Sequence, residues 1–142
     1  MKKGILITGL ILGLLTMFTL RAWADGPVVK QSTCAVSWVA PQLSADGSNL
    51  ADLKEYRVYY SAGITVPTTV TAPIAIVPAP TQDPAAGATG TWPCKTLPLG
   101  QGAVTVTATD TAGNESVRPA SFPFILADDV SPQAPQNLQV GP

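Results

Sequence analysis

Alternating apolar and polar residues recur along the chain after residue 25 and indicate β-strands. In residues 34–38 the larger apolar side chains fall on every second position, and in residues 104–109 apolar side chains alternate completely with threonine. In residues 56–60 three larger apolar side chains share one face, opposite Arg57 and Tyr59. Such strands have one buried and one solvated face, as in an antiparallel sandwich of two sheets. We therefore predict an all-β fold whose threonine-bearing face meets solvent.

Turn-forming residues separate these runs. The chain contains 14 Pro and 12 Gly in 142 residues, which argues for many turns and against helices. Residues 74–77 form a short β-prone run between prolines, and two prolines interrupt residues 117–126. Because proline cannot donate to a ladder, we predict both segments at sheet edges. The turn-forming residues after residue 109 predict a tight hairpin. In it Asp110 acts as the cap, and Gly113 or Asn114 takes a positive φ.

The first 24 residues match an export signal. Lys2 and Lys3 precede an apolar run over residues 4–20, and Ala22 and Ala24 are small residues at the two positions that a signal peptidase inspects. We predict cleavage after residue 24 and a secreted or periplasmic location. The alternative is an uncleaved membrane anchor, because a run of this length just reaches across a bilayer.

Charge and composition argue against several classes of function. Charged residues make up 12 % of the chain, and without the predicted signal five Lys and Arg face nine Asp and Glu, a net charge of −4. This balance argues against a nucleic-acid partner. The chain has no histidine, which excludes a Ser-His-Asp triad, a Cys-His pair and a His-ligated metal. We predict no enzymatic activity and no cofactor.

One loop carries oxygen side chains that calcium would accept. Asp46, Asn49 and Asp52 lie close together in sequence, and carboxylate and amide oxygens are calcium ligands. The same residue types are ordinary turn formers, and the Asp46-Gly47 step needs no metal to explain it. We therefore predict no metal site.

Three runs of the chain resemble bacterial fibronectin type III domains. Residues 34–41 (CAVSWVAP) resemble their B strand with its core tryptophan, and residues 46–61 (DGSNLADLKEYRVYYS) resemble the B–C loop and C strand. Residues 97–116 (LPLGQGAVTVTATDTAGNES) resemble the E–F loop, F strand and F–G turn. The resemblance covers residues 32–126 and implies a seven-stranded, Greek-key, immunoglobulin-like sandwich over residues 25–127. It implies little about function.

The chain departs from the family pattern in two places, and the resemblance also places two cysteines. Gly102 stands where family members usually carry a tyrosine early in strand F, and the first strand is reduced to residues 27–29. The resemblance puts Cys34 and Cys94 inward on the neighbouring strands B and E. In an exported protein this implies a disulfide, with two buried free thiols as the alternative.

The resemblance, the predicted export and the missing catalytic residues favour an extracellular adhesion or scaffold module that binds a protein or glycan surface. Two alternatives are a structural subunit that assembles through strand edges and an accessory carbohydrate-binding domain of an exported hydrolase. Alternation places most aromatic side chains in the core. Tyr59, beside Arg57, is the candidate for surface recognition. We expect no membrane contact after signal cleavage.

Residues 128–142 resemble the linker and first strand of a further repeat. Leu138 and Val140 alternate with polar residues, as in a strand. Such a strand can add to the sheet edge beside strand B, in its own molecule or in a neighbour, and the alternative is a frayed terminus. We expect a monomer, because an apolar pair of this size buries little surface.

Overall fold

The computed structural model describes residues 26–129 and Gln139. The predicted signal peptide with Ala22 and Ala24, and the segments 130–138 and 140–142, lie outside the described residues. Within the described part, the chain is all-β, with seven strands in two sheets and one 3-10 turn, Gln31–Thr33. The strands are β1 (Val28–Lys30), β2 (Ala35–Val39), β3 (Leu53–Ala62), β4 (Ala75–Pro78), β5 (Thr89–Pro93), β6 (Gly100–Asp110) and β7 (Phe122–Ala127). No helix in this part is long and apolar enough to cross a membrane.

The larger sheet has the strand order β1-β7-β6-β3-β4, and the smaller sheet pairs β2 with β5. The ladder between β3 and β6 runs from Leu53 opposite Asp110 to Ala62 opposite Gly102, and it forms the middle of the larger sheet. Among the described strands, β4 pairs only with β3, so the predicted edge strand at residues 74–77 is confirmed.

The prediction that the last strand lies at an edge is wrong. The short first strand β1 is present, and it pairs in parallel with β7, with Val28 opposite Ile125 and Lys30 opposite Ala127. Pro123 precedes this paired stretch, so its missing N–H does not interrupt the ladder with β1. As a consequence, β1 covers β7, and among the described strands none pairs with the other side of β2.

Side chains from both sheets meet in one hydrophobic cluster. Cys34 directly precedes β2, and Cys94 directly follows β5. The two form the predicted disulfide, with their Cα atoms 5.2 Å apart. They are buried together with Val58, Val104 and Phe124 of the larger sheet. A bridge that closes a loop across 60 positions stabilises a fold by about 4 kcal/mol in the chain-entropy model.

Two glycines leave room for aromatic rings. A Cβ atom at Gly102 would lie 2.4 Å from the ring of Tyr60, and a Cβ atom at Gly90 would lie 2.3 Å from the indole of Trp38. Each ring therefore packs directly over the backbone of a neighbouring strand. Tyr60 also lies beside Phe124, with 6.4 Å between the ring centroids.

The threonine face of β6 is not solvated, contrary to the prediction. Its three threonines are between 1 and 4 % exposed. The chain after β6 turns and returns along it in segment 111–121. The Ser116 N–H donates to the Ala108 carbonyl at 2.9 Å, and the Thr105 hydroxyl donates to the Pro119 carbonyl at 3.1 Å. Alternation correctly predicts which residues share a face, but both faces of β6 are buried.

Candidate functional site

A cluster of polar side chains lies on the outer face of the larger sheet, away from β2 and β5. The Oε1 atom of Glu115 accepts hydrogen bonds from the Tyr59 and Thr107 hydroxyls, both at 2.6 Å. Its Oε2 atom accepts from Arg57 at 2.9 Å, and Arg57 also pairs with Glu55 at 3.0 Å. We call these five residues the Glu115 cluster.

Register and turn chemistry assemble this cluster. The ladder between β3 and β6 places Arg57 opposite Thr107. The hairpin after β6 then brings Glu115 back over both strands. Asp110 accepts from the backbone N–H and the side-chain amide of Asn114, both at 2.8 Å, and Gly113 has a φ of +92°. The predicted capped hairpin is confirmed.

The predicted exposure of Tyr59 is wrong. Tyr59 is 2 % exposed, and it packs against Val66 and Ala103. The guanidinium of Arg118 lies 3.8 Å above the centroid of its ring. Arg57, its partner in the predicted recognition surface, is half-buried between two carboxylates. Both side chains are engaged in internal contacts, so these two residues do not form an open recognition surface.

The surroundings of Glu115 favour its charged form. Burial raises the pKa of Glu115, but hydrogen bonds from Thr107, Tyr59 and Arg57 outweigh burial and hold the pKa below its ordinary value. Hydrogen bonds to Glu55 and Glu115 raise the pKa of Arg57. A carboxylate that already accepts three hydrogen bonds is a poor proton acceptor for a substrate, so the cluster is suited to holding the outer face together.

The loop with three oxygen side chains is built as a turn. Asp46 accepts from the Ser48 N–H at 2.9 Å and from the Ser48 hydroxyl at 2.6 Å, and these bonds lower its pKa. Asn49 forms an isolated bridge with Leu43, and the Asp52 carbonyl accepts from a backbone N–H. Within residues 26–129 and Gln139, no group of three or more Cys, His, Asp and Glu side chains is placed to hold a metal ion.

The smaller sheet has an open edge at β2. The Ala40 N–H donates to the Ala88 carbonyl at 2.8 Å, and the Cys94 N–H donates to the Cys34 carbonyl at 3.2 Å. Backbone groups in an antiparallel strand alternate in direction, so the even-numbered residues of β2 bond to β5 and the odd-numbered ones point away from it. No described strand pairs with β2 on that side. The outward groups belong to Ala35, Ser37 and Val39.

An apolar groove runs beside this edge, between β2 and the inner face of the larger sheet. One hollow of about 380 Å³ lies between Trp38 and Val106, and a second of about 330 Å³ lies between Val29 and Phe124. Both hollows are lined by Val36 and Phe122, among others, and all of the lining residues are uncharged. We call the open edge of β2 and these two hollows the β2 groove.

Three exposed apolar side chains line the rim of the β2 groove. Val39, Val117 and Phe122 are 67, 90 and 59 % exposed. Exposed apolar side chains beside an unpaired strand edge are typical of an interaction surface. The short first strand predicts an open edge beside β2, and no described strand pairs there. The hollows were not predicted, because they depend on where β1 and segment 111–121 pack.

Comparison of the chain with protein-family models, with curated proteins and with solved structures found no match. Its function is therefore inferred from the geometry of the described residues.

Proposed function

We propose that this protein is an exported, non-catalytic interaction module that binds a protein partner through an extended strand added at the β2 groove. The observation that carries the proposal is the edge of β2 that pairs with no described strand and lies beside an uncharged apolar groove. In strand addition, backbone groups of the edge provide hydrogen bonds, and pockets beside it take every second side chain of the added strand. The β2 groove offers both features side by side.

Two further observations support the proposed export and the proposed fold type of this module. The disulfide between Cys34 and Cys94 fits an oxidising compartment, which agrees with the predicted export signal. Two sheets that share one core, with this bond joining neighbouring strands of the smaller sheet, support a Greek-key sandwich of fibronectin type III type. The intact mass of the protein from the producing cell tests the export proposal, because cleavage removes residues 1–24.

A protein partner is favoured over a glycan. Sugar-binding surfaces present aromatic faces to solvent, whereas the large exposed apolar residues among the described ones include a single aromatic, Phe122, at the rim of the groove. Trp38 is half-buried, and its ring packs edge-on against Tyr56 with 5.1 Å between the ring centroids, so it does not present an open face to solvent. An apolar groove with outward backbone groups along one side suits a peptide strand, whose own backbone can pair with that edge, better than a sugar ring.

The non-catalytic part of the proposal rests on chemistry. The chain has no histidine, its two cysteines are joined, and the Glu115 carboxylate is engaged by three donors. A nucleophile with an adjacent base, which acyl or group transfer requires, is not assembled at the β2 groove, whose lining residues are all uncharged.

A selection from a random peptide library on the purified protein tests strand addition. We expect the selected peptides to be extended, uncharged and apolar at every second position. Ser37→Pro removes an outward N–H of β2 and should weaken their binding about tenfold. Thr91→Pro is the matched control: Thr91 lies opposite Ser37, and its N–H points to the other edge of the sheet, so binding should stay unchanged.

Two outcomes would replace this proposal. Equal binding by both proline variants, or binding only to glycans on an array, would remove the β2 edge from the function. Concentration-dependent assembly that Ser37→Pro abolishes would favour the structural subunit, because the same open edge also fits a strand from a neighbour. Sedimentation of the natural protein and the two variants distinguishes these cases.

A further inference from the structure

Segment 111–121 contributes to both faces of the larger sheet. On the outer face, Glu115 accepts hydrogen bonds from Tyr59 and Thr107. Arg118 lies over the ring of Tyr59 on the same face. Other residues of the segment line the larger hollow of the β2 groove, on the inner face: Ser116, Val117, Pro119 and Ala120. The segment is therefore a cover for the outer face and a wall of the groove at the same time.

Glu115 provides a charged tie between this segment and the sheet. The hydroxyls of Tyr59 and Thr107 donate to it at 2.6 Å, and Arg57 donates to it at 2.9 Å. Hydrogen bonds to an ionised group are shorter and stronger than those between neutral groups. Glu115 directly precedes Ser116, the first residue of the wall, so these bonds fix where the wall begins.

The wall itself is held to β6 by a short stretch of hydrogen bonding. The Ser116 N–H donates to the Ala108 carbonyl at 2.9 Å, and the Ser116 hydroxyl accepts from the Ala108 N–H at 3.1 Å. Val117 is 90 % exposed and buries little apolar surface. The position of the chain at Val117 therefore depends on the residues on either side of it, which include Glu115 and Arg118.

We infer that Glu115 is a positioning residue for the β2 groove: it does not line the groove, but its charge holds residues 116–120 in place as the wall against which a partner strand packs. This inference rests on the proposed strand-addition function, and it makes binding on the inner face depend on contacts on the outer face. A partner binds the molecules whose wall is in place, so its apparent affinity falls with the fraction of such molecules.

The pH profile of binding is a readout that a merely structural Glu115 would not move. Burial disfavours the charge of Glu115, but its three donors outweigh burial and hold its pKa below the ordinary value of 4.5. Binding should be complete above that pH and should weaken as the pH falls through the lowered value. The other titratable and charged groups around Glu115 are Glu55, Arg57 and Tyr59 of β3, Asp110 at the end of β6 and Arg118 of its own segment. Other carboxylates also take up protons in acid, so the natural protein is compared with a variant that keeps all of them.

Glu115→Gln keeps the shape of the side chain and removes its charge. With an uncharged peptide selected on the natural protein as the probe, this variant should bind at least about threefold more weakly at pH 7. The two affinities should converge between pH 7 and pH 3, wherever circular dichroism shows native β-structure in both proteins. Asp83→Asn is the control: it removes the same charge from an exposed position that lines neither hollow, and it should bind as the natural protein does. Equal affinity of Glu115→Gln and the natural protein at pH 7, or a difference that stays constant in acid, would overturn the inference.

Tyr59→Phe tests the same tie without changing the carboxylate, and it carries the test if Glu115→Gln does not fold. It removes one of the three donors to Glu115. Peptide binding should therefore weaken about twofold at pH 7. Unchanged binding by a folded Tyr59→Phe protein would also overturn the inference.

Hydrogen exchange of single amides separates this inference from the function on which it rests. The protection of the Ser116 amide, which bonds to the Ala108 carbonyl, should fall at least about threefold in Glu115→Gln at pH 7. The Cys94 amide bonds to the Cys34 carbonyl in the smaller sheet and should be protected equally in both proteins. Reduced protection of Ser116 with unchanged peptide affinity would overturn the inference and keep the proposed function. Reduced protection of Ser116 when no peptide binds the natural protein would remove the proposed function, and this inference with it.

Discussion

The two faces of the ladder between β3 and β6 are both buried, but different interactions bury them. The inner face carries Val58 and Val104, which pack with the disulfide between the sheets. The outer face carries Tyr59 and Thr107, which are covered by Glu115 through hydrogen bonds of 2.6 Å. The inner face is closed by a second sheet, and the outer face by the irregular segment 111–121.

This difference teaches how a small fold can bury polar residues. An apolar face gains stability in proportion to the area it removes from water, about 25 cal/mol per Å², and tolerates approximate geometry. A buried hydroxyl needs a specific partner, because an unsatisfied one costs about 1–3 kcal/mol. The outer face should therefore respond to the loss of single atoms, and the inner face to the loss of volume.

The largest expected effect is on the inner face. Phe124→Ala should lower the free energy of unfolding by about 3–5 kcal/mol, because Phe124 is 4 % exposed and its removal leaves a cavity. Phe122→Ala is the matched control in the same strand, where the side chain is 59 % exposed, and it should cost about 0.5 kcal/mol. Urea unfolding measures both. Equal losses would mean that the core between the sheets does not stabilise the fold as described.

On the outer face, the loss of a single hydroxyl oxygen should lower the stability of the protein. Tyr59→Phe keeps the ring but removes the donor to Glu115, and we expect a loss of about 1–2 kcal/mol. Tyr60→Phe makes the same change on the inner face, where the structure gives the hydroxyl no partner among the described residues. That control should change stability by less than about 0.5 kcal/mol. The comparison of the two faces would fail if the two variants melted alike.

A smaller effect on stability is expected when the pH is lowered. Because the pKa of Glu115 is held below its ordinary value of 4.5, its contribution to stability is present above that pH and is lost as pH falls through the lowered value. The gap in unfolding free energy between the natural protein and Glu115→Gln should thus shrink between pH 7 and pH 3. The pKa values of Asp46, Asp110 and Asp129 are also lowered, but both proteins contain these residues. Their contributions therefore cancel in the difference between the two unfolding free energies. A gap that stays constant would contradict a charged Glu115 in the cluster.

The smallest effect concerns the cover over Tyr59. Arg118→Gln removes the cation above the ring and should cost about 0.5–1 kcal/mol. Lys95→Gln removes a cation from an exposed position and serves as the control, with no measurable change expected. Thermal unfolding at low ionic strength compares the two. Identical melting temperatures would show that the side chain of Arg118 does not contribute to closing the outer face.

Local patterns predicted the strands and turns well. Alternation located the strands β2, β3 and β6, and proline placed β4 at an edge. Asp110 and Gly113 predicted the hairpin, because a positive φ and a side-chain cap are properties of a few neighbouring residues. The disulfide was implied by the family resemblance, which supplied the pairing of two strands that local patterns do not supply.

The candidate site was predicted only in part. An open edge beside β2 was expected from the short first strand, but the pairing of β1 with β7 was not, because it joins residues almost a hundred positions apart. Tyr59 was expected at the surface because its neighbours in sequence alternate. Its cover comes from Glu115, 56 positions away, and from Arg118. Alternation states which side chains share a face, but not whether another segment covers that face.

The amino-acid sequence by itself determined the all-β character of the described chain, its turns and the face that each strand residue occupies. These depend on backbone geometry and on side chains within a few positions of each other. Only the tertiary structure decided that β1 lies on β7, that the threonine face is closed around Glu115, and that an apolar groove runs beside β2. Burial is a property of contacts between distant segments, so the same alternating strand is wet or dry according to what packs upon it.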